Sequence, residues 1–281
     1  MAEHFPHLFT PLTFGPVTIR NRIVSSGHDT VMAVDGRVTD RLVAYQSARA
    51  RGGVGLIVAQ VAGVHVSAKY TSQVLMADDD SCIPGLARLA EAVHAHGGVL
   101  FQQLFHDGRG MMESGDGTMP VALSASAAPN ERFHVMPRAM PIAQVREMIA
   151  CYGAAAGRMR IAGHDGVEIV ASHGYLPAQF LSPRTNHRTD EYGGSDDNRL
   201  RFLREVIAAV RAATGPAMAV GLRISIGEEA EEGLTVDESL ATLAALAPDR
   251  SLDFVSIVAG TSATLSGSDH IVPPMTMESG Y

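Results

Sequence analysis

The sequence predicts an α/β fold of the TIM (β/α)8 barrel type, apparently truncated after about six strands. Two observations carry this. Short runs rich in β-branched residues alternate with amphipathic stretches of helical period along the whole chain, which implies a parallel sheet with right-handed crossovers. A doubly wound sheet shares that pattern, but its dinucleotide form needs Gly-x-Gly-x-x-Gly directly after the first strand. Here Gly52-Gly53-Val54-Gly55 precedes a strand and reads as a helix stop. A length of 281 residues suits a single α/β barrel domain over 1–281.

The predicted strands are Ile23–Ser26, Gly55–Gln60, Val99–Leu104, Gly166–Val170, Ala219–Arg223 and Phe254–Val258. Between them, Leu86, Leu89, Ala90 and Val93 recur at helical spacing, and His96-Gly97-Gly98 closes that helix. Val145, Met148, Ile149 and Tyr152 mark the next helix. Leu200, Leu203, Ile207 and Val210 mark another, closed by Gly215-Pro216, and Thr235 with Glu238 fits a capping box for the last. Phe105 to Pro141 reads as a long loop, with a short hairpin as the alternative. Two strands overlooked there would complete the barrel.

Hydrophobic residues form 46% and charged residues 19% of the chain, enough for a sizeable core. A net charge of −8 argues against nucleic acid or an anionic membrane as the main partner; the partner expected is a small-molecule substrate. The longest nearly apolar run, Val54 to Val64, is far below the roughly 18 residues of a membrane span. Cys82 and Cys151 match no CxxC spacing, so a reduced, cytoplasmic protein with both thiols in the core is the simplest reading. No HxH pair on the first strand, no HExxH, no phosphate loop and no GxSxG elbow is present, and no metal site is expected.

Active sites of this fold form at the C-terminal strand ends. Ser26, Gly27 and His28 follow the first strand, where small residues admit a flat ligand, although an ordinary turn explains them as well. Of Gln102 and Gln103 only one side chain can face the barrel interior. Glutamine supplies both a donor and an acceptor. His173 and Tyr175 follow the fourth strand; a tyrosine there suits proton donation. A satisfied core histidine beside a packed tyrosine explains the pair equally well. Arg223 ends the fifth strand, where a buried cation needs a negative charge. A reduced cofactor or Glu168 on the neighbouring strand would supply it.

Phe9-Thr10-Pro11-Leu12, Asn21-Arg22-Ile23-Val24, the run from Gly166 through His173-Gly174-Tyr175 to Gln179-Phe180-Leu181-Ser182-Pro183, and Asn186-His187-Arg188-Thr189-Asp190-Glu191-Tyr192-Gly193-Gly194 resemble the old yellow enzyme (NADH:flavin oxidoreductase) family. So do Asn198-Arg199 and Arg201-Phe202, and the resemblance extends up to about the family's sixth strand. It implies non-covalent FMN, NAD(P)H as electron donor, and hydride transfer at flavin N5 to an activated alkene such as a 2,4-dienoyl-CoA. It further implies that Ser26, Gly27 and His28 line the flavin, Gln103 holds its pyrimidine edge and Arg223 lies near N1. Tyr175 corresponds to the proton donor, His173 to a substrate anchor, and Arg184 to an arginine near the substrate in 2,4-dienoyl-CoA reductases. His270 is an additional expected donor on the substrate wall.

Val170 replaces the first substrate-anchoring histidine of many ene-reductases. That points to the branch of 2,4-dienoyl-CoA reductase, trimethylamine dehydrogenase and N-methylproline demethylase, and makes N-methyl amine oxidation the alternative activity. Asp29 stands where a flavin-linked cysteine would be. The 4Fe–4S cluster and FAD of that branch would belong to a longer parent protein, and the family's FMN phosphate site would come from strands beyond the sixth. A barrel fragment without activity is therefore the remaining alternative.

Overall fold

The computed structural model describes residues 5–112, 121–228 and 230–271. An antiparallel hairpin opens the fold, with β1 (Leu12–Phe14) paired to β2 (Val17–Ile19). Gly15 and Pro16 make its two-residue turn, Gly15 at φ +56°, the positive φ that such turns require. The repeating units follow in chain order. They are β3 (Val24–Ser25), α1 (Asp40–Arg51), β4 (Leu56–Gly63), the short β5 (Leu75–Met76), α2 (Ile83–His94) and β6 (Val99–Phe105). Next come β7 (Leu123–Ser124), β8 (Arg138–Ala139), α3 (Ile142–Ile161), β9 (Gly166–Ala171), α4 (Leu176–Leu181) and α5 (Asp196–Thr214). The described chain ends through β10 (Ala219–Ser225), α6 (Val236–Leu246), β11 (Phe254–Val258) and α7 (Leu265–Ile271).

All six expected strands are present. They lie in the order β3-β4-β6-β9-β10-β11, every pair parallel, with β5 pairing the far end of β4. Among the described residues the sheet is open, with β3 and β11 at its edges. Among the described residues the long loop expected after β6 adds no strand to the main sheet: β7 and β8 pair only with each other, and in parallel, so the alternative of a hairpin does not form there. The N-terminal hairpin and α4 are elements the sequence reading did not include. The helix stops at Gly52 and Gly215 and the Thr235–Glu238 capping box form as expected.

Period-two alternation divides the sheet into two faces. Outward residues Val167, Ile169, Val220, Leu222 and Ile224 meet Val145, Met148, Tyr152 and Met159 of α3 and Leu203, Val206, Ile207 and Val210 of α5. Each such side chain contributes roughly 1.5–3 kcal/mol when fully buried. Cys82 belongs to this core and Cys151 packs against it, both as free thiols. On β11 the outward Val255 and Ile257 are exposed.

The inward face is layered. Val17, Ile19 and Phe14 of the hairpin pack on Leu56, Val58, Phe101, Ala219 and Phe254, closing the N-terminal end of the sheet. Phe101 and Phe254 stack at 5.5 Å between ring centres. Gly221 makes room, because a β-carbon there would stand inside the Phe254 ring. No helix of the described residues is long and apolar enough to cross a membrane.

Candidate active site

Above that apolar floor lies a polar layer contributed by the four adjacent strands β6, β9, β10 and β11. Gln103 faces inward from β6 and donates from Nε2 to Glu168 Oε1 at 2.7 Å. Ser256 Oγ on β11 donates to the other oxygen, Glu168 Oε2, at 2.6 Å. Burying a carboxyl group is costly unless both oxygens find donors, and here both do. Gln102 points to the opposite face, where its amide donates to the Gln60 carbonyl oxygen. Strand alternation thus selects Gln103 for the interior.

Arg223 sits in register with Val170 on one side and Ser256 on the other. It is half-buried, and no carboxylate among the described residues comes within ion-pair distance of it. Glu168, the structural partner proposed for it, is held by Gln103 and Ser256 instead. A guanidinium left over in a strand interior is a ready binding group for an anionic or carbonyl oxygen.

The C-terminal ends of β6 and β9 form the next layer. His173 has φ +59°, unusual for a residue with a side chain. Ser225 Oγ accepts from its N–H at 2.9 Å, and its carbonyl accepts from both the N–H and Oγ of Ser262, each at 2.9 Å. Those three bonds hold a backbone that costs about 1–2 kcal/mol. Burial, and secondarily the charge of Arg223, lower the His173 pKa to about 4, so its ring is neutral at pH 7. Its Nδ1 is buried without a hydrogen-bond partner.

Tyr175 lies edge-on to His173 at 6.0 Å and to Phe105 at 4.6 Å between ring centres. Burial raises its pKa to about 12, with the nearby Asp107 and Asp29 adding to the rise. The phenol therefore keeps its proton at pH 7 and is suited to give a proton, not to take one. Tyr70 completes the aromatic wall, 5.5 Å from Phe105, and its hydroxyl donates to Asp29 Oδ2. Val170 packs in the same cluster with Val61, Val74 and Met76.

The first-strand segment contributes closeness more than side chains. A β-carbon on Gly27 would stand 2.5 Å from Gln103 Oε1, so glycine lets that amide lie against the backbone. His28 is exposed, with Nε2 2.6 Å from the Tyr45 hydroxyl and Nδ1 3.0 Å from the Ser26 carbonyl oxygen. Its ring is therefore tied to α1. Ser26 is exposed as well. Arg184 bonds Glu131 at 2.6 Å and the Glu231 carbonyl at 2.7 Å. The His270 side chain lies outside the described residues.

Several neighbours had no sequence signal. Asp107 is fully buried, and neither carboxyl oxygen has a hydrogen-bond partner. Burial pushes its pKa well above the ordinary carboxyl value. His106 beside it is lowered to about 3 by burial and by His65. The Asp29–Tyr70 bond spans 41 positions, and no local pattern marks it. No group of three or more potential metal ligands occurs among the described residues.

These groups fit the ring half of the flavin that the resemblance implies. Gln103 offers an amide beside a bare Gly27 backbone, Arg223 offers a free cation, and the neutral His173 and protonated Tyr175 stand on the next layer.

The chain is similar to several known proteins in sequence and in fold. The NADH oxidase of Thermoanaerobacter brockii is 42% identical over 241 residues, covering 84% of this chain and 36% of the relative. The N,N-dimethylglycine/sarcosine dehydrogenase of Chromohalobacter salexigens is 35% identical over 276 residues, covering 97% of this chain and 40% of the relative. A 2-naphthoyl-CoA reductase structure superposes with a TM-score of 0.87 at 28% identity, covering 92% of this chain and 41% of that one. The chain thus spans about two fifths or less of each. Residues 7–270 match the sequence pattern that defines one family, and this chain belongs to the NADH:flavin oxidoreductase / NADH oxidase family.

Proposed function

We propose that the chain is the FMN-binding barrel of an NAD(P)H-dependent oxidoreductase that reduces an activated alkene, a 2,4-dienoyl-CoA being one such substrate. The observation that carries this reading is the stacking of two layers at the strand ends. Gln103 and Arg223 form one polar layer that would face a flat ligand, with protonated Tyr175 and neutral His173 at the strand ends beyond it. Bound flavin would supply the two-electron carrier, accepting hydride from the nicotinamide and passing it to the substrate.

The protein's own residues then divide the work. Gln103, fixed by Glu168, would hold the pyrimidine edge through its remaining amide oxygen. Arg223 would offset negative charge at that edge. His173 donates or accepts at a substrate oxygen without changing charge. Tyr175 gives its phenolic proton to the carbon beside the one that receives hydride, and its raised pKa keeps it loaded for that step.

One observation favours a second reading, oxidation of an N-methyl amine. The Tyr70, Phe105 and Tyr175 rings with Asp29 form an aromatic wall with a carboxyl group, a setting that attracts an ammonium cation. The C. salexigens relative supports that chemistry by its name.

The deciding experiment is a visible spectrum of the purified chain with FMN, followed by two assays. Flavin bands and NAD(P)H oxidation driven by an enone or dienoyl-CoA support alkene reduction. Anaerobic bleaching of the flavin by an N-methyl amine alone supports the second reading. Colourless protein that retains no FMN overturns both.

A further inference from the structure

Arg132 differs from the arginines around it. Arg109 and Arg184 share Glu131, Arg188 pairs with Asp190, and Arg199 pairs with Asp196. Arg132 is exposed, with no carboxylate at ion-pair distance among the described residues. Its guanidinium makes one long bond, Nη1 to the Ser262 carbonyl at 3.5 Å, and lies 5.2 Å from the Phe133 ring centre.

The backbone carrying it is firmly held. Buried Asn130 accepts through Oδ1 from the N–H groups of Arg132 and Phe133, both at 3.0 Å, and its own N–H donates to Val135 at 2.8 Å. On one side of this turn Glu131 bonds Arg184. On the other, the Arg132 N–H donates to the Ala263 carbonyl at 3.1 Å. Ser262, which receives the guanidinium, is the residue that holds the His173 carbonyl. The turn therefore bridges the β6, β9 and β11 loops and sets a cation without a carboxylate partner on Ser262, the residue that holds the His173 backbone. Its charge reaches the Tyr175 phenol, where it opposes the effect of burial.

We infer that Arg132 anchors a carboxylate carried by the substrate, close to the atoms that react over His173 and Tyr175. A guanidinium on a pre-set backbone matches a carboxylate in two-pronged geometry and loses little freedom on binding. Its place on Ser262, with its charge reaching the Tyr175 phenol, sets the anion on the side where the substrate reacts. The phosphates of a CoA thioester lie far from the acyl carbons that react. The inference rests on the hydride-transfer reading and narrows its substrate to a small acid.

Calorimetric titration of the FMN-loaded protein with N-methylproline and with N-methylpyrrolidine tests it, since the two amines differ only in the carboxylate. The wild-type protein is expected to bind the acid tighter by about tenfold or more. Arg132→Gln should abolish that preference, and Arg132→Lys should restore part of it. Equal binding of the two amines by the wild type, or an unchanged preference in Arg132→Gln, overturns the inference. So does a variant that loses affinity for a dienoyl-CoA while keeping its affinity for N-methylproline. The same samples report flavin bleaching and NAD(P)H oxidation. An Arg132-dependent preference without either reaction would refute the hydride-transfer reading and leave the anchor in place.

Discussion

Gly27 and Gln103 touch so closely that any side chain at position 27 would occupy the space of the Gln103 amide. The first and third long segments of the barrel interior thus meet at one hydrogen-bonding group, itself fixed by Glu168.

Gly27→Ala is expected to displace that amide and weaken FMN binding by about tenfold or more, with an overpacking cost of about 1–3 kcal/mol. Fluorescence titration of FMN and a thermal melt measure the two effects separately. Unchanged FMN affinity would mean that Gln103 does not hold the ring.

Tyr175→Phe removes the hydroxyl from the ring that contacts both Phe105 and His173. Alkene reduction should slow by roughly a hundred-fold to ten-thousand-fold, while flavin reduction by NAD(P)H keeps its rate. Stopped-flow traces of the two half-reactions check this. If the enzyme is an amine dehydrogenase, the same variant should retain substantial turnover.

Arg223→Met takes away the free cation of the polar layer. The two-electron potential of bound FMN should fall, by roughly 30 mV for each tenfold of preference lost for the reduced form. Spectroelectrochemistry reads the shift directly, and an unaltered potential would remove Arg223 from the flavin site.

Burial holds His106 at about 3 and His164 and His173 at about 4. Unfolded, such residues titrate near 6.5. Between those values the unfolded chain binds more protons, so this contribution is complete above about pH 6.5 and is lost as the pH falls toward 4. Asp107 and Glu228, both raised by burial, act in the opposite sense. The melting temperature of His164→Gln should therefore decline less than wild type from pH 6.5 to 4. Parallel profiles would show that His164 is not held neutral.

Much of the fold was legible because its signals are local. Six strands could be read from β-branched runs, and helix ends from Gly52, Gly215 and the Thr235–Glu238 box. The β1–β2 hairpin was missed although Gly15-Pro16 carries a turn signal, because its strands are only three residues each. In the site, Gln103, His173, Tyr175 and Arg223 could be named from the motifs around them. His28 takes a place on α1 that its sequence neighbours do not reveal, since its partner is Tyr45.

By itself the sequence determined the order of strands and helices, the residues at the strand ends, and the family to which they belong. Those properties follow from hydrophobic period and capping within a few turns of chain. Only the tertiary structure decided that Glu168 serves Gln103 and Ser256, from 65 and 88 positions away, and so leaves Arg223 free. It also decided that Arg132 meets Ser262 across 130 positions. Such pairings depend on sheet register and curvature, which every strand sets together and no single segment encodes.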